Sequence, residues 1–293
     1  MKIGITGAAG FLGSDLVGKL QQKGHSLKVF VKEGNHRFPK DVEVTHGDLV
    51  SGKGLDKFLS NVETVIHLAA RVTAPEEKMF EDNVIATYNL VVELLKFPVK
   101  HLVFTSTVAV YGKDRKGKFK EKDECFPNTE YGLTKFLAEK EVQYWSTRSD
   151  IPVTILRPFN IYGPDNYKGI IYSFLSDIKN KGHAVIYGNG KQKRDFLYID
   201  DFIEALLRVI DTKKAGIFNL GAPDKYSILE ILEMFRRIMK KDIKAEFNTK
   251  EKGKVFNINQ DLSLVKKELN WEAKTSLEDG LRKTIKWYED REK

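Results

Sequence analysis

The chain has 293 residues, 41% of them hydrophobic and 31% charged, which is typical of a globular protein with a substantial core. No apolar run approaches the roughly 20 residues that span a bilayer, and the start lacks a signal-peptide cleavage site, so the sequence predicts no membrane association. The net charge of +8 comes from scattered lysines, and the dense basic run at 113–122 is interrupted by acids, so we expect no nucleic-acid partner.

In the first half, short β-branched runs alternate with segments whose apolar residues recur at helical spacing. The predicted strands are KIGIT (2–6), SLKVFV (26–31), VEVTH (42–46), ETVIHLA (63–69), HLVFTST (101–107) and PVTILRP (152–158). The predicted helices are FLGSDLVGKLQQK (11–23), LDKFLSN (55–61), NVIATYNLVVELLK (83–96) and YGLTKFLAEKEVQYW (131–145). This alternation predicts an α/β protein whose parallel sheet is covered by helices on both faces.

After RPFNIYGP (157–164) the pattern becomes less regular. We predict an inward-packing helix at 198–212, a strand at 216–221 that returns to the main sheet, and amphipathic helices at 227–240 and 276–290. Ser276 is expected to be the N-cap of the last helix. The sequence thus predicts a large lobe of residues 1–163, rejoined by about 195–220 and 255–265. A smaller C-terminal α/β lobe would hold residues 164–194 and 221–293.

A glycine-rich turn follows the first predicted strand. Gly7, Gly10 and Gly13 stand at the opening of a helix, where missing side chains allow a tight turn and close approach of a pyrophosphate to the helix N-terminus. The strand, turn and helix are the context that dinucleotide binding requires. We therefore predict a Rossmann-type doubly wound parallel sheet whose large lobe binds a dinucleotide and whose smaller lobe binds the substrate.

A second pattern lies in TEYGLTKFLAEK (129–140), where Tyr131 and Lys135 are four residues apart on a predicted helix. Their side chains would share one face, with β-carbons about 5–6 Å apart. An ordinary surface pair is the commoner meaning of this spacing by itself. Beside a dinucleotide site, the same pair can transfer a proton.

Together, Gly7-x-x-Gly10-x-x-Gly13 and Tyr131-x-x-x-Lys135 resemble the extended short-chain dehydrogenase/reductases. The likeness is greatest to the nucleotide-sugar epimerase and dehydratase branch, including the UDP-glucose epimerases. Further stretches match in order from residue 2 to about 288: GDL (47–49), HLAA (67–70), DNVIATYNL (82–90), VFTSTVAVYG (103–112), RPFNIYGP, GNGKQKRDFLYIDD (188–201) and LNWEAKTSLEDGLRKTIKWY (269–288).

The resemblance implies a catalytic set of Thr107, Tyr131 and Lys135, with Ser106 as the alternative to Thr107. Lys135 would lower the pKa of Tyr131 and hold the nicotinamide ribose, and Tyr131 would exchange a proton with a substrate hydroxyl. Substrate would contact Thr107, Asn160 and Arg194, although Arg194 could instead pair with Asp195 or Asp200. A homodimer through the helices that carry Asn83 and Tyr131 is also implied. The implied cofactor contacts are Gly7, Gly10, Phe11, Leu12, Gly13, Lys32, Asp48, Leu49, Leu68, Ala69, Ala70, Asn83, Thr105, Tyr131, Lys135 and Pro158.

The residues after Thr107 bear on the reaction. Dehydratases of this branch have an Asp-Glu pair there, whereas this chain has Val108 and Ala109, which cannot transfer protons. Two chemistries remain open: an epimerase that works through a transient keto-sugar, and an NADPH-dependent reductase of a keto-sugar or other small ketone. A dinucleotide sensor without catalysis is disfavoured because the Tyr–Lys pair is present.

Cofactor choice depends on the end of the second strand. An acid that binds the ribose 2′-hydroxyl is expected there, but the chain has Val31 followed by Lys32. Lys32 suits a 2′-phosphate, so NADP is slightly favoured over NAD within an NAD(P) assignment, although Glu33 could reach the ribose. A second departure is Glu251-Lys252-Gly253, where epimerases often carry a diphosphate-binding arginine; Lys252 could substitute as a point charge.

Metal and redox sites are not expected. His67, His101 and His183 lack the spacing of metal ligands. A single cysteine, Cys125, rules out an intramolecular disulfide and fits a cytoplasmic location.

Overall fold

The computed structural model describes residues 1–34, 36–73, 75–112, 117–248 and 258–291. Its strands are β1 (Lys2–Thr6), β2 (Ser26–Val31), β3 (Val42–His46), β4 (Thr64–His67), β5 (His101–Thr105), β6 (Val153–Pro158), β7 (Ile161–Tyr162), β8 (His183–Tyr187), β9 (Lys193–Arg194), β10 (Leu197–Tyr198), β11 (Gly216–Leu220), β12 (Tyr226–Ser227) and β13 (Lys244–Asn248). Its helices are α1 (Phe11–Gln22), α2 (Leu55–Leu59), α3 (Glu76–Phe80), α4 (Ala86–Leu94), α5 (Glu130–Ser149), α6 (Gly169–Lys181), α7 (Ile199–Thr212), α8 (Ile228–Met239), α9 (Ser263–Leu269) and α10 (Leu277–Asp290).

In the described part of the chain, the central sheet has seven strands in the order β11-β6-β5-β4-β1-β2-β3, and every neighbouring pair is parallel. The predicted doubly wound parallel sheet is therefore confirmed. The chain runs outward in one direction from β1 to β3 and in the other from β4 to β11. A crevice opens where this direction reverses, at the carboxyl ends of β1 and β4, and such crevices are where open α/β sheets bind ligands.

The two faces of the sheet have separate apolar cores. Phe58, Leu90 and Val142 belong to the core beneath α2, α4 and α5. The core on the other face continues from α1 and α7 to α6 and α8, where it includes Phe174 and Phe235. Because this second core is continuous, α6 and α8 are packed together with the helices that cover the sheet.

Outside the central sheet, the remaining strands of the described residues form short pairings. β13 lies parallel to β8, β10 parallel to β7, and β12 antiparallel to β9. The buried Asp201 carboxylate fastens the chain before α10, because it accepts hydrogen bonds from the backbone N–H groups of Lys274 (3.1 Å) and Thr275 (3.0 Å). Trp271 Nε1 donates to the Asp201 carbonyl at 3.0 Å.

The structure differs from the sequence prediction mainly in its helices. The predicted helix at 83–96 begins earlier, because α3 and α4 are joined by a π-helical turn at Glu81–Ile85. Helix α6 was not predicted. The N-cap role of Ser276 is confirmed: its side chain accepts a hydrogen bond from Asp279 N at 3.1 Å. Within the described ranges, no helix combines the length and apolar character needed to cross a membrane.

Candidate active site

A cleft of about 1030 Å³ runs along the carboxyl ends of the strands from the glycine turn to the C-terminal lobe. Two expected groups of side chains, one for a dinucleotide and one for a substrate, share this continuous cavity. The predicted site residues that line it are Gly7, Gly10, Phe11, Leu12, Lys32, Asp48, Leu49, Leu68, Ala69, Ala70, Thr105, Thr107, Tyr131, Pro158, Asn160 and Arg194. Gly13, Asn83 and Lys135 do not line it.

The glycine turn leaves room for a phosphate because side chains are absent where backbone segments meet. Gly7 has φ of 73°, and a β-carbon there would lie 2.6 Å from Ala69 N. A β-carbon on Gly13 would lie 2.3 Å from Gly7 O, so Gly13 serves the close packing of α1 on β1 rather than the cleft surface. Gly10 caps α1 without a side-chain hydrogen bond, which leaves the helix N-terminus open to an anion.

Tyr131 enters the cleft from the first turn of α5. Thr129 caps this helix by accepting a hydrogen bond from Gly132 N at 3.1 Å, and the cap fixes the direction in which Tyr131 leaves the helix. Thr107 caps a 3₁₀ turn at Val108–Tyr111, and its Oγ1 accepts from Ala109 N at 3.2 Å. The Thr107 hydroxyl hydrogen is thereby still available as a donor to a ligand.

Burial controls both ionisable groups of the Tyr–Lys pair. Lys135 is 1% exposed, and its Nζ lies 4.1 Å from the centre of the Phe104 ring. Burial lowers the pKa of Lys135 to about 7, partly opposed by Glu139, and raises the pKa of Tyr131 to about 12. The expected lowering of the Tyr131 pKa by Lys135 is therefore absent from the protein alone, because desolvation of the phenolate dominates.

Two buried hydroxyls beside the cleft have no hydrogen-bond partner within the described residues. They are Thr105 Oγ1 and Ser106 Oγ, on side chains 9% and 2% exposed. Buried polar groups are normally paired, so both hydroxyls are suited to a bound polar ligand. Together with the turn at Gly7, they show that the cleft fits a dinucleotide such as NAD(P).

Asn83 lies behind the cleft wall rather than in it. Its Oδ1 accepts from Arg71 N at 2.7 Å, and its Nδ2 donates to Arg71 O at 2.9 Å and to Thr134 Oγ1 at 3.0 Å. Thr134 in turn donates to the Tyr131 carbonyl at 3.0 Å. Asn83 is thus placed to hold the chain after β4 against the helix of Tyr131, because both polar atoms of its amide already bond to these two segments.

His67 extends this network at the end of β4. Its Nδ1 lies 2.6 Å from Thr6 Oγ1 and its Nε2 lies 3.1 Å from Thr87 Oγ1. Thr87 donates to Asn83 O at 2.6 Å, so Thr87 Oγ1 accepts from His67 Nε2–H, and Nδ1 accepts from Thr6. Burial, with a smaller effect of Lys135, lowers the pKa of His67 to about 3, so the imidazole is neutral.

Charges of both signs meet at the expected ribose end. Lys32 Nζ lies 3.4 Å from Asp48 Oδ1 and 3.6 Å from Asp82 Oδ1. Asp82 also forms an ion pair with Arg71. The side chain of Lys32 is 60% exposed, so its ammonium can be drawn from these acids by a stronger anion.

Arg194 lines the opposite end of the cleft. Its Nε is buried without a hydrogen-bond partner, burial lowers the pKa of the guanidinium, and no ion pair joins it to Asp195, Asp200 or another acid of the described residues. Asn160 Nδ2 donates to the carbonyl of Asp195 at 3.3 Å. A desolvated cation without an anion is suited to an anionic ligand. Lys252, the other expected diphosphate cation, lies outside the described residues.

Sequence reasoning missed several cleft residues, including Asp82, Arg71 and the segment 165–169. It also missed a buried ion pair beneath the site: Arg157 Nε and Nη2 donate to the two carboxylate oxygens of Glu139 at 2.9 and 2.6 Å. The spacing of Tyr131, Lys135 and Glu139 puts all three on one face of α5 and was a signal for Glu139, but it does not indicate the partner on β6. No group of three or more potential metal ligands occurs in the part of the chain that the structure describes.

A doubly wound sheet, a glycine turn at its switch point and a tyrosine that lines the cleft, with a buried lysine one helical turn behind it, define a short-chain dehydrogenase/reductase of the extended type. The family model for the NAD-dependent epimerase/dehydratase family matches residues 3–221. The chain belongs to this family, so the resemblance drawn from its motifs is confirmed, and the chain is an NAD(P)-dependent enzyme.

Known proteins resemble the chain over nearly its full length. It is 28% identical to a putative UDP-glucose 4-epimerase of Methanocaldococcus jannaschii, with 97% of each chain covered. It resembles the crystal structure of UDP-glucose 4-epimerase from Thermotoga maritima with UDP-glucose (TM-score 0.92, 25% identity, 100% of both chains). It also resembles UDP-glucuronic acid 4-epimerase from Bacillus cereus in complex with UDP-glucuronic acid and NAD (TM-score 0.89, 26% identity, 99% of this chain and 100% of that one).

Proposed function

We propose that the chain is an NAD(P)-dependent nucleotide-sugar epimerase that inverts a sugar hydroxyl, most simply at C4 of a UDP-sugar, through a transient ketone. The observation that carries this proposal is the continuity of the cleft from Tyr131 to the unpaired guanidinium of Arg194. A diphosphate held by Arg194 would place the attached sugar toward Tyr131. The similar epimerases that bind UDP-glucose and UDP-glucuronic acid support this substrate class.

In the proposed reaction, different residues bind the diphosphate, transfer the proton and hold the cofactor. Arg194 offers a planar fork of donors to the diphosphate, and Asn160 adds an amide on the same side. Thr107 donates to the reacting hydroxyl, and Tyr131 takes its proton and later returns it. Lys135 holds the ribose hydroxyls of the cofactor. The bound NAD(P) would supply the hydride acceptor and donor for the sugar carbon, and its positive ring would favour the Tyr131 phenolate.

Val108 and Ala109 support an epimerase over a dehydratase. Both line the cleft directly after Thr107, where an elimination would need an acid and a base. An NADPH-dependent reductase of a keto-sugar is the second candidate, supported by Lys32 at the ribose end. We propose that NADP(H) binds at least as well as NAD(H), because a 2′-phosphate can draw the exposed ammonium of Lys32 from Asp48 and Asp82.

The direct test is to incubate the purified protein with UDP-glucose or UDP-glucuronic acid and NAD and to follow the 4-epimer by NMR. Tyr131→Phe should lower turnover about 10²–10⁴-fold while cofactor binding is retained, because only the phenolic oxygen is lost. A cofactor that returns to its oxidised form each cycle indicates an epimerase, whereas stoichiometric NADPH consumption indicates the reductase. Near-normal turnover by Tyr131→Phe would refute the catalytic assignment.

We further propose a homodimer through α3, α4 and α5. Five large side chains on these helices or at their ends are 41–57% exposed, and exposed large apolar side chains are a feature of protein–protein contact surfaces. They are Phe80, Tyr88, Leu95, Leu133 and Tyr144. Light scattering after size exclusion should give twice the mass of one chain, and Leu133→Lys should halve it.

We also propose that the chain divides into two lobes at the predicted boundaries. We propose a cytoplasmic location as well. Cys125 is unpaired and half-buried, which is compatible with a reducing compartment.

A further inference from the structure

The catalytic helix carries a third ionisable residue in line with Tyr131 and Lys135. Glu139 follows Lys135 by one helical turn and is completely buried, at 0% exposure. Both of its carboxylate oxygens are occupied by the guanidinium of Arg157 on β6, in a two-bond fork. The Arg157 side chain is itself only 3% exposed, so the pair is fully inside the protein.

Arg157 is held in place from several sides. Its Nη1 donates to the Tyr111 hydroxyl at 2.9 Å and to the Glu121 carbonyl at 3.2 Å. The guanidinium carbon lies 4.9 Å from the centre of the Tyr111 ring. Burial by itself would lower the pKa of Arg157, but the hydrogen bonds to Glu139 outweigh it, and the net pKa is raised. Arg157 therefore stays charged, and its position is fixed by the 3₁₀ turn after β5.

A buried ion pair contributes little net stability, because desolvation of both charges offsets their attraction. Glu139 lies on α5, the helix that carries Tyr131, so its charge can affect the protonation of a neighbouring residue. Lys135 is that neighbour, since β-carbons four residues apart on a helix lie about 5–6 Å from each other. The Glu139 carboxylate opposes the loss of the Lys135 proton that burial favours.

The other titratable groups that face Lys135 carry no charge near neutral pH. His67 approaches from β4, and burial lowers its pKa to about 3. Tyr131 lies one turn earlier on α5, and burial raises its pKa to about 12. Phe104 from β5 contributes only its ring face. Within the described residues, Glu139 is thus the anion that acts on Lys135, with Arg157 from β6 behind it.

We propose that Glu139, anchored by Arg157, is a positioning residue that keeps Lys135 protonated and so sets the upper pH limit of cofactor binding and proton transfer. This inference rests on the proposed function, in which Lys135 holds the cofactor ribose and supports Tyr131. Arg157 occupies both carboxylate oxygens of Glu139 and so prevents the carboxylate from forming a direct, immobilising pair with Lys135.

The charge that each substitution removes determines the direction in which the alkaline limit moves. Glu139→Gln removes the anion and leaves the cation of Arg157 uncompensated, and both changes favour deprotonation of Lys135. The pH at which NAD affinity and turnover fall on the alkaline side should therefore move down by about one unit or more. Glu139→Gln/Arg157→Met removes both charges and should move that pH down by less. Arg157→Lys keeps the anchor charge and should leave it near the wild-type value.

Glu141 provides a matched control. It lies two residues further along α5, about 200° around the helix from Glu139, and burial raises its pKa to about 7. Glu141→Gln should leave the alkaline limit unchanged, which also excludes Glu141 as its source. The measurement is the dissociation constant of NAD by calorimetry from pH 6 to pH 9.5, with turnover measured in parallel.

The proposal is overturned if Glu139→Gln keeps the wild-type pH profile, or if Glu141→Gln moves the profile as far. Should Glu139→Gln fail to fold, the double variant decides the matter, because two neutral side chains of similar volume can replace a buried pair. A wild-type profile in the double variant would then overturn the proposal. If the protein turns over no nucleotide-sugar, the proposed function fails, while the pH dependence of NAD binding still tests the role of Glu139.

Discussion

Arg194→Met should stabilise the ligand-free protein while it abolishes the response to UDP. The guanidinium is desolvated, its Nε has no hydrogen-bond partner, and it has no counterion in the described chain. An unpaired buried polar group costs about 1–3 kcal/mol, and methionine removes that cost with a similar apolar stem. At roughly 2–3 °C per kcal/mol for a chain of this size, the melting temperature should rise by about 2–9 °C.

The same substitution should cancel the effect of ligand. In the wild-type protein loaded with cofactor, UDP at a hundredfold its dissociation constant should add about 2.7 kcal/mol of stability. Arg194→Met should show little or none of this, because the diphosphate loses its bidentate partner. Differential scanning calorimetry with and without UDP measures both effects on one sample.

Arg208→Met is the matched control. Arg208 pairs with Glu204 at 3.0 Å and donates to the Asn270 carbonyl at 2.7 Å, so its loss should destabilise the protein and leave the UDP response intact. If Arg194→Met instead destabilises the protein and UDP still raises its melting temperature as in wild type, Arg194 is structural. If no nucleoside diphosphate shifts the wild-type protein, a reductase of a small ketone becomes the better assignment.

Three further predictions follow from the site. Lys32→Ala should weaken NADP(H) about tenfold and change NAD(H) little, measured by calorimetric titration; a strong NAD preference that the substitution leaves unchanged would contradict the role of Lys32. Gly13→Ala should destabilise the protein by about 2 kcal/mol or more in urea unfolding, because its β-carbon would meet Gly7 O at 2.3 Å. Gly18→Ala on the same helix is the control: a β-carbon there has nothing within 4 Å, so the substitution should be neutral or stabilising. The free energy of unfolding should fall by about 2 kcal/mol between pH 6.5 and pH 5 on account of His67. The reason is that its imidazole takes up a proton near pH 6.5 when the chain is unfolded but only near pH 3 when it is folded. In His67→Gln, the free energy of unfolding should no longer show this fall.

Much of the sheet could be predicted from local sequence. The strings KIGIT, SLKVFV and VEVTH coincide with β1, β2 and β3, because each is a short β-branched run that ends at a turn or loop. The start of α3 was also signalled, by Pro75 followed by Glu76 and Glu77, but the weak apolar pattern there hid it. Helix α6 escaped prediction because it begins a few residues after RPFNIYGP (157–164), where the pattern of the sequence becomes less regular.

The site was predictable where it depends on the ends of strands and on helical spacing, as with Gly7, Thr107 and Tyr131. It was not predictable where distant side chains meet only after folding. Glu139 and Arg157 are 18 residues apart on a helix and a strand, and nothing in either segment alone indicates their pairing. The direction of the Tyr131 pKa was likewise missed, because desolvation depends on tertiary packing rather than on a motif.

The return of β11 to the sheet limits how the protein can be divided. β11 pairs with β6 from Thr154–Gly216 to Pro158–Leu220, so a chain that stopped before Gly216 would leave β6 as a bare, apolar sheet edge. Such a fragment would tend to associate edge to edge rather than act as an independent cofactor-binding module. Chimeras that exchange substrate lobes between relatives should therefore keep β6 and β11 from the same parent, even though 57 residues (159–215) separate the two strands.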